Sequence, residues 1–198
     1  MPLAQGTIGL PDIYNGNDKI GKIYRGTDLC YQSLIEKSFF VKFVEDNLDD
    51  GWIKAEYFED ATSIREYAFY NKLSITRIDL PSTITNIGQY GIANCYNLTE
   101  LNLNEGLIGI GDNALASLTS LTTLTIPSTV TSVGYTFASG CTSLTTLKML
   151  PITPPSVTNL FTNGTYDVLS RIEVPASSLN AYQTADKWSS FASLMVGV

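Results

Sequence analysis

A 23-residue period constrains this sequence more than any other feature. When the chain is written in blocks of 23 from residue 64, apolar residues align in columns. A single block cannot bury its apolar residues alone, so the period predicts coils that stack and share one core. The columns are Ile64/Ile87/Ile110/Val133, Ile75/Leu98/Leu121/Leu144, Ile78/Leu101/Leu124/Leu147, Leu80/Leu103/Ile126/Met149 and Ile84/Leu107/Val130.

Each block also contains a predicted β-strand. The segment Leu98-Thr-Glu-Leu-Asn-Leu103 ends in alternation of apolar and polar residues, which is typical of a short strand with one buried face. We expect equivalent strands to pair as a parallel sheet, with Pro81 and Pro127 ending two of them. A glycine column predicts either a positive φ or a close approach of neighbouring backbones, and its members are Gly88, Gly111 and Gly134.

The blocks resemble a known repeat family. Segments 110–127 and 133–147 carry Ile-Gly or Val-Gly, then a small-apolar pair, then a Cys or Leu column, then a strand. This pattern is similar to BspA-like leucine-rich repeats. The resemblance implies an α/β-type solenoid with a parallel β-sheet and a C-terminal helical cap. An N-terminal β-hairpin before the repeats is predicted separately, from residues 19–32. Asn104-Glu-Gly replaces Pro-Ser-Thr in one block, and we expect the fold to tolerate it because the turn character is kept.

Four segments follow from the period. They are an attachment segment at 1–34, an acidic β-rich connector at 35–60, four repeats at 61–150 and a C-terminal strand and helical cap at 151–198. In the cap we predict a strand over 171–174 and a helix with Ser177 as its N-cap. The apolar face of that helix carries Leu179, Tyr182 and Ala185, and Trp188, Phe191 and Leu194 continue at spacing three.

The N-terminal segment lies outside the period. Residues 19–32 predict a hairpin with its turn at 26–28, and an isolated hairpin needs a surface to dock on. Over about fifteen residues, its pattern Ile-x-x-Ile-Tyr-x-Gly resembles bacteriophage tail and other virion structural proteins. The resemblance implies other virion or surface-assembly proteins as partners. The candidate attachment residues are Ile20, Ile23, Tyr24, Leu29 and Tyr31.

Composition limits the possible chemistry. The 198 residues include no histidine, which removes Ser-His-Asp triads, Cys-His dyads and the usual zinc-water sites. The net charge of −7 argues against nucleic-acid binding, and residues 45–60 carry seven acids against one base. The apolar runs are too short for membrane insertion. We therefore predict no cofactor, no metal site and no catalytic residue, with all three cysteines reduced. Glu100 and Glu105 lie on different parts of one coil, unlike a glycosidase pair.

The outward positions of the strands are the candidate binding face. They are rich in hydroxyls and amides, which suit a host glycan or a protein surface. A threonine ladder that only stabilises its neighbours is the alternative, and we prefer this scaffold interpretation. The candidate residues are Thr76, Arg77, Asp79, Thr99, Glu100, Asn102, Thr122, Thr123, Thr125, Thr145, Thr146 and Lys148.

These features predict a noncatalytic structural or adhesion protein. The first ten residues contain no basic residue and no long apolar run, so we expect no signal peptide. That expectation favours a bacteriophage virion, with the chain associated with its tail or fibre. The alternative is a BspA-like adhesin module on a bacterial cell surface that binds host protein or glycan. A homo-oligomer is possible in either setting.

Overall fold

The computed structural model describes residues 51–58, 61–161 and 164–198, and the backbone of three short strands nearer the N-terminus. These strands are β1 (Tyr14–Asn15), β2 (Asp18–Gly21) and β3 (Gln32–Ser33). β2 pairs antiparallel with both β1 and β3, and Gly21 lies opposite Gln32. The β2–β3 pairing agrees with the predicted hairpin, whereas β1 is an additional strand. The predicted turn at 26–28 lies outside the described residues.

Eleven further strands are described from residue 51 onward, and each contains two to four residues. In chain order they are β4 (Trp52–Ile53), β5 (Ser63–Ile64), β6 (Arg77–Asp79), β7 (Asn86–Ile87), β8 (Glu100–Asn102), β9 (Gly109–Ile110), β10 (Thr123–Ile126), β11 (Ser132–Val133), β12 (Thr146–Met149), β13 (Arg171–Val174) and β14 (Met195–Gly197).

These strands form three parallel sheets. One side of the coils carries β4-β6-β8 and β10-β12-β13-β14, and another carries β5-β7-β9-β11. Partners such as Leu124 and Leu147 are 23 residues apart, as the period predicts. The ladder also includes β4 before the 61–150 segment, and β13 and β14 after it. The two-residue strands of the third sheet are not predicted from the sequence.

The five apolar columns form the core. Every member is buried except Leu103, which is only partly buried against the core. The glycine column marks a close approach of backbones: a Cβ on Gly88 would lie 2.6 Å from the Glu66 nitrogen, and one on Gly111 would lie 2.9 Å from the Gln89 nitrogen. Positive φ falls in two other columns, Tyr67/Tyr90/Asn113/Thr136 and Asn71/Asn94/Ser117/Gly140.

Stacked turns join the coils on a third side. The Tyr90 amide donates to the Asp112 carbonyl at 3.1 Å, and the Ile92 amide donates to the Ala114 carbonyl at 2.9 Å. The same type of bond recurs from coil to coil along this side. Successive coils are therefore held together by backbone hydrogen bonds away from the strands as well.

The C-terminal region contains α1 (Thr165–Val168), α2 (Leu179–Thr184) and 3₁₀ helices at Ala176–Ser178 and Trp188–Leu194. The predicted strand at 171–174 and the predicted helix are confirmed. Ser177 is not the N-cap, however, because a 3₁₀ turn precedes the helix. The N-cap is Ser178, whose side chain makes no capping bond. The spacing of three from Trp188 onward matches a 3₁₀ helix. In the described part of the chain, no helix has both the length and the apolar character needed to span a membrane.

Candidate functional site: a gap in the strand face

The sequence predicts one continuous sheet, but the structure has a gap between β8 and β10. On one side of the gap, the Thr99 amide donates to the Thr76 carbonyl at 2.8 Å. On the other side, the Thr145 amide donates to the Thr122 carbonyl at 3.0 Å. The corresponding bond between Thr122 and Thr99 is not formed. Nearly all Cα–Cα distances between β8 and β10 exceed 8 Å, whereas paired strands lie about 4.8 Å apart.

Side chains bridge the two coils at both ends of this gap. The Ser120 hydroxyl donates to the Tyr96 carbonyl at 2.7 Å, and the Ser128 hydroxyl donates to the Glu105 carboxylate at 2.8 Å. Gly106 also donates to the Thr129 hydroxyl at 3.0 Å. A bridge through a side chain spans more distance than a direct amide–carbonyl bond. Side-chain bridges alone do not open a step, however, because Asn97 Nδ2 donates to the Leu73 carbonyl at 2.8 Å beside the paired strands β6 and β8.

The gap forms a cleft of about 400 Å³ that opens on the outward side of the strands, which we call the strand face. Its walls are polar at the outward positions, while Leu101 and Leu103 supply apolar surface. Glu100 is the one charged residue among those that line it. The lining residues are Thr99, Glu100, Leu101, Asn102, Leu103, Thr122, Thr123 and Thr125.

A charged network covers the strand face on the β8 side of the cleft. The Arg77 guanidinium contacts Asp79 and Glu100 at 3.1 Å each, and its carbon lies 4.4 Å from the Trp52 ring centroid. Trp52 Nε1 and Asn102 Nδ2 donate to Asp79 at 2.8 and 2.7 Å. Burial alone would raise the pKa of Asp79, but the hydrogen bonds from Arg77, Asn102 and Trp52 outweigh it and lower that pKa.

A smaller charged group lies on the β10 side. Arg171 Nε donates to the Glu173 carboxylate at 2.8 Å, and Lys148 Nζ lies 3.2 Å from it. These two hydrogen bonds, that of Arg171 first, lower the pKa of Glu173. Between the two charged groups, the outward residues of β10 and the start of β12 are threonines. The cleft is therefore flanked by charges that are already paired.

The structure brings the twelve candidate residues together on the strand face. Six of them line the cleft: Thr99, Glu100, Asn102, Thr122, Thr123 and Thr125. Thr76, Arg77 and Asp79 lie on the β8 side, and Thr145, Thr146 and Lys148 lie on the β10 side. Trp52 and Glu173 were missed because they are 25 residues from their partners rather than 23. Leu103 was missed because its column predicts a buried residue.

Other predicted features contribute no chemistry to this face. Cys95 and Cys141 are buried free thiols, and burial raises the pKa of each to about 12. Glu105 is held by Ser128, away from the Arg77 network that holds Glu100. Within residues 51–58, 61–161 and 164–198, no cluster of His, Cys, Asp or Glu side chains has the grouping of a metal site.

The attachment segment stays untested. Ile20 lies in β2. The other four predicted attachment residues lie outside the described part: Ile23, Tyr24, Leu29 and Tyr31.

A second exposed surface is formed by three tyrosines on the turn side of the coils. The rings of Tyr67 and Tyr90 stack with centroids 5.2 Å apart, and Tyr70 packs edge-on against both. Tyr67 is 49% exposed. The sequence offers a signal for this cluster, because Tyr67 and Tyr90 occupy one column of the 23-residue period.

Comparison with solved structures gives the same fold. A leucine-rich-repeat protein of T. pallidum shares 28% identity and a TM-score of 0.51 over 59% of this chain and 53% of its own. A leucine-rich cell surface protein of Faecalibacterium prausnitzii shares 18% identity and a TM-score of 0.58 over 95% of this chain and 43% of its own. A pneumococcal vaccine antigen shares 15% identity and a TM-score of 0.63 over 94% and 48%. The chain thus spans about half the length of each of these proteins.

Comparisons of sequence complete the assignment. A search of curated proteins finds no match. No finding supports a bacteriophage virion role, which stays a prediction from residues 19–32. The model of the BspA-type leucine-rich-repeat region matches residues 60–185 in six copies, which is well over half of the chain and extends past residue 150. The chain therefore belongs to the BspA-type leucine-rich-repeat family.

Proposed function

We propose that this chain is a noncatalytic adhesion module of a bacterial cell surface, and that it contacts a host protein or glycan through its strand face. The cleft between β8 and β10 is the observation that carries this proposal. It is the place where the repeat surface changes from a continuous sheet to a recess with polar walls and an apolar floor. Small recesses of this kind suit ligands better than flat sheet does.

Two further observations support it. The chain belongs to a leucine-rich-repeat family, stacked-coil proteins commonly bind through extended faces, and one structural neighbour is a leucine-rich cell surface protein. The charges beside the cleft are paired with one another, so they suit the orientation of a bound ligand rather than acid–base chemistry. The virion alternative differs in location but uses the same noncatalytic repeats.

Adhesion of coated beads tests the proposal. Beads carrying the chain are allowed to settle on an epithelial monolayer, and the retained fraction is measured under flow. Thr123→Trp fills the cleft, whereas Ser132→Trp adds the same ring on β11, away from the cleft. Tyr67→Ser removes a ring from the exposed tyrosine cluster. We expect only Thr123→Trp to lower retention, by tenfold or more, while circular dichroism and melting stay unchanged for all three.

Treatment of the monolayer separates the two ligand classes. Periodate oxidation destroys glycans, and trypsin removes surface protein, so the treatment that abolishes retention identifies the class. Retention that is unaffected by Thr123→Trp but lost in Tyr67→Ser would move the binding surface to the tyrosine cluster. Failure of wild-type beads to be retained above uncoated beads would overturn the adhesion proposal.

A further inference from the structure

The walls of the cleft carry backbone groups that no described residue satisfies. On β8, the Asn102 carbonyl accepts from the Leu80 amide, so Asn102 faces β6. Alternate residues of a strand direct their backbone groups to opposite neighbours, so those of Leu101 face the gap. On β10, the carbonyls of Thr122 and Ile126 accept from β12 and the residue beyond it. By the same alternation, the groups of Thr123 and Thr125 face the gap from the other side.

The two walls present facing edges between which a further strand could add. Both run in the same direction, because they belong to successive coils whose strands β7, β9 and β11 pair in parallel on the adjoining side. Their separation exceeds that of neighbouring strands, and one inserted strand would require about twice the 4.8 Å spacing. The cleft volume of about 400 Å³ lies between the side-chain bridges at Ser120 and Ser128. These bridges limit the paired part of an inserted segment to a few residues, and its ends would extend out of the cleft.

Side chains along the cleft add a charge preference. Glu100 points outward and its side chain is 47% exposed; Arg77 contacts it but is shared with Asp79, so this charged group keeps one net negative charge beside the cleft. An outward side chain on an inserted strand would lie about 5 Å from Glu100, as cross-strand neighbours do. The inward side chains of such a strand would meet Leu101 and Leu103. The complementary partner has apolar residues at alternate positions and a Lys or Arg facing outward.

We propose that the cleft binds an extended segment of a partner polypeptide, which adds as a strand between β8 and β10. This inference rests on the proposed function, since it names the class of ligand that the strand face contacts. Backbone hydrogen bonds would supply most of the affinity, and the alternating side chains would supply the selectivity. A glycan would bind the threonine hydroxyls instead of the backbone groups. Different substitutions should therefore weaken the binding of a peptide and the binding of a glycan.

A peptide of defined sequence tests this directly. The probe is acetyl-Val-Thr-Val-Lys-Val-Thr-Val-amide, titrated into the full chain and followed by amide NMR. We expect saturable shifts at Leu101, Leu103, Thr123 and Thr125, with amide exchange there slowed by tenfold or more. A peptide that is N-methylated at alternate residues keeps its side chains but loses donors, and we expect its affinity to fall at least tenfold.

Substitutions in the chain complete the test. Thr123→Val with Thr125→Val removes the hydroxyls but keeps the backbone donors, so peptide affinity should stay within twofold. Thr123→Pro with Thr125→Pro removes the donors at positions that bond to no other strand, so it should abolish binding. Glu100→Gln should lower affinity about threefold for the lysine peptide and leave a threonine-substituted peptide unaffected. The valine pair and the N-methylated peptide keep the test decisive if the proline pair fails to fold.

Two results would overturn the inference. One is the absence of saturable shifts at millimolar peptide, and the other is binding that is indifferent to N-methylation. In either case, the adhesion proposal can still hold with a glycan as the ligand. Bead retention would then be lost both in Thr123→Trp and after periodate treatment of the monolayer. Loss of bead adhesion altogether would remove the proposed function but not a measured peptide affinity.

Discussion

The step from β8 to β10 and the step from β10 to β12 span the same 23 residues, yet only the second forms a β-ladder. In the paired step, direct backbone bonds flank the strands at Thr145 and Leu150. In the open step, the flanking contacts run through the side chains of Ser120 and Ser128. The period therefore determines which coils stack but not which strands pair, and the two steps differ in the contacts that flank their strands.

The largest effect is expected from a charge placed in the paired part of the core. Leu124 has no exposed surface, so Leu124→Asp buries an unpaired carboxylate at a cost of several kcal/mol and should unfold the stacked coils. Leu103→Asp in the open step reaches solvent through the cleft and should lower the midpoint of urea unfolding while leaving a cooperative transition. Circular dichroism in urea measures both. Equal loss of structure in the two variants would contradict an open cleft.

A methyl group at the closest backbone approach of the open step should have the next largest effect. A Cβ on Gly111 would lie 2.9 Å from backbone atoms of Gln89 and Gly88, which cannot move without separating the coils. We expect Gly111→Ala to lower the free energy of unfolding by about 1–3 kcal/mol, the usual range for overpacking.

Gly109→Ala is the matched control for this variant. Its added methyl would meet the Asn86 side chain at 2.7 Å, and that side chain can rotate away. Thermal melts of the two variants, recorded side by side, measure the difference. If Gly109→Ala proves as costly as Gly111→Ala, the turn side of this step is not the tight side.

The turn at residues 104–106 departs from the Pro-Ser-Thr found elsewhere in the repeats. Its replacement should change local dynamics more than global stability. Replacing Asn104-Glu105-Gly106 by Pro-Ser-Thr copies the turn that follows β6 and removes the Glu105 bridge. If this turn holds the strands apart, the amides of Leu101 and Thr123 should exchange at least tenfold more slowly than in the unaltered chain. Hydrogen exchange measured by NMR detects the change. Unchanged exchange would mean that this turn does not hold the gap open.

The sequence predicts the stack well because its evidence is repeated in every block. The columns of Ile64 and Ile75 place their members in the core without exception, and the strands begin where the alternation begins. The gap has no such signal, because the 23-residue period continues across it and the irregular turn there, Asn104-Glu105-Gly106, is compatible with that period. The outward position of Thr123 follows from alternation, but its unpaired amide does not. Position in a strand is therefore predictable here, and pairing is not.

Acid should produce the smallest effect, and it acts on the two sheets that the gap separates. The pKa of Asp79 is below its ordinary 3.8 and that of Glu173 is below its ordinary 4.5, so each ionised carboxylate stabilises the folded chain above these values. That contribution is lost as the pH falls through the lower folded-state pKa. Urea midpoints at pH 7 and pH 3 should therefore differ less in Asp79→Asn than in the unaltered chain. Glu173→Gln should show a similar, smaller difference because it loses two partners rather than three. The urea midpoints of all three proteins would show the same pH dependence if these charged groups did not stabilise either sheet. In that case, the coils on both sides of the gap would depend on their apolar columns alone.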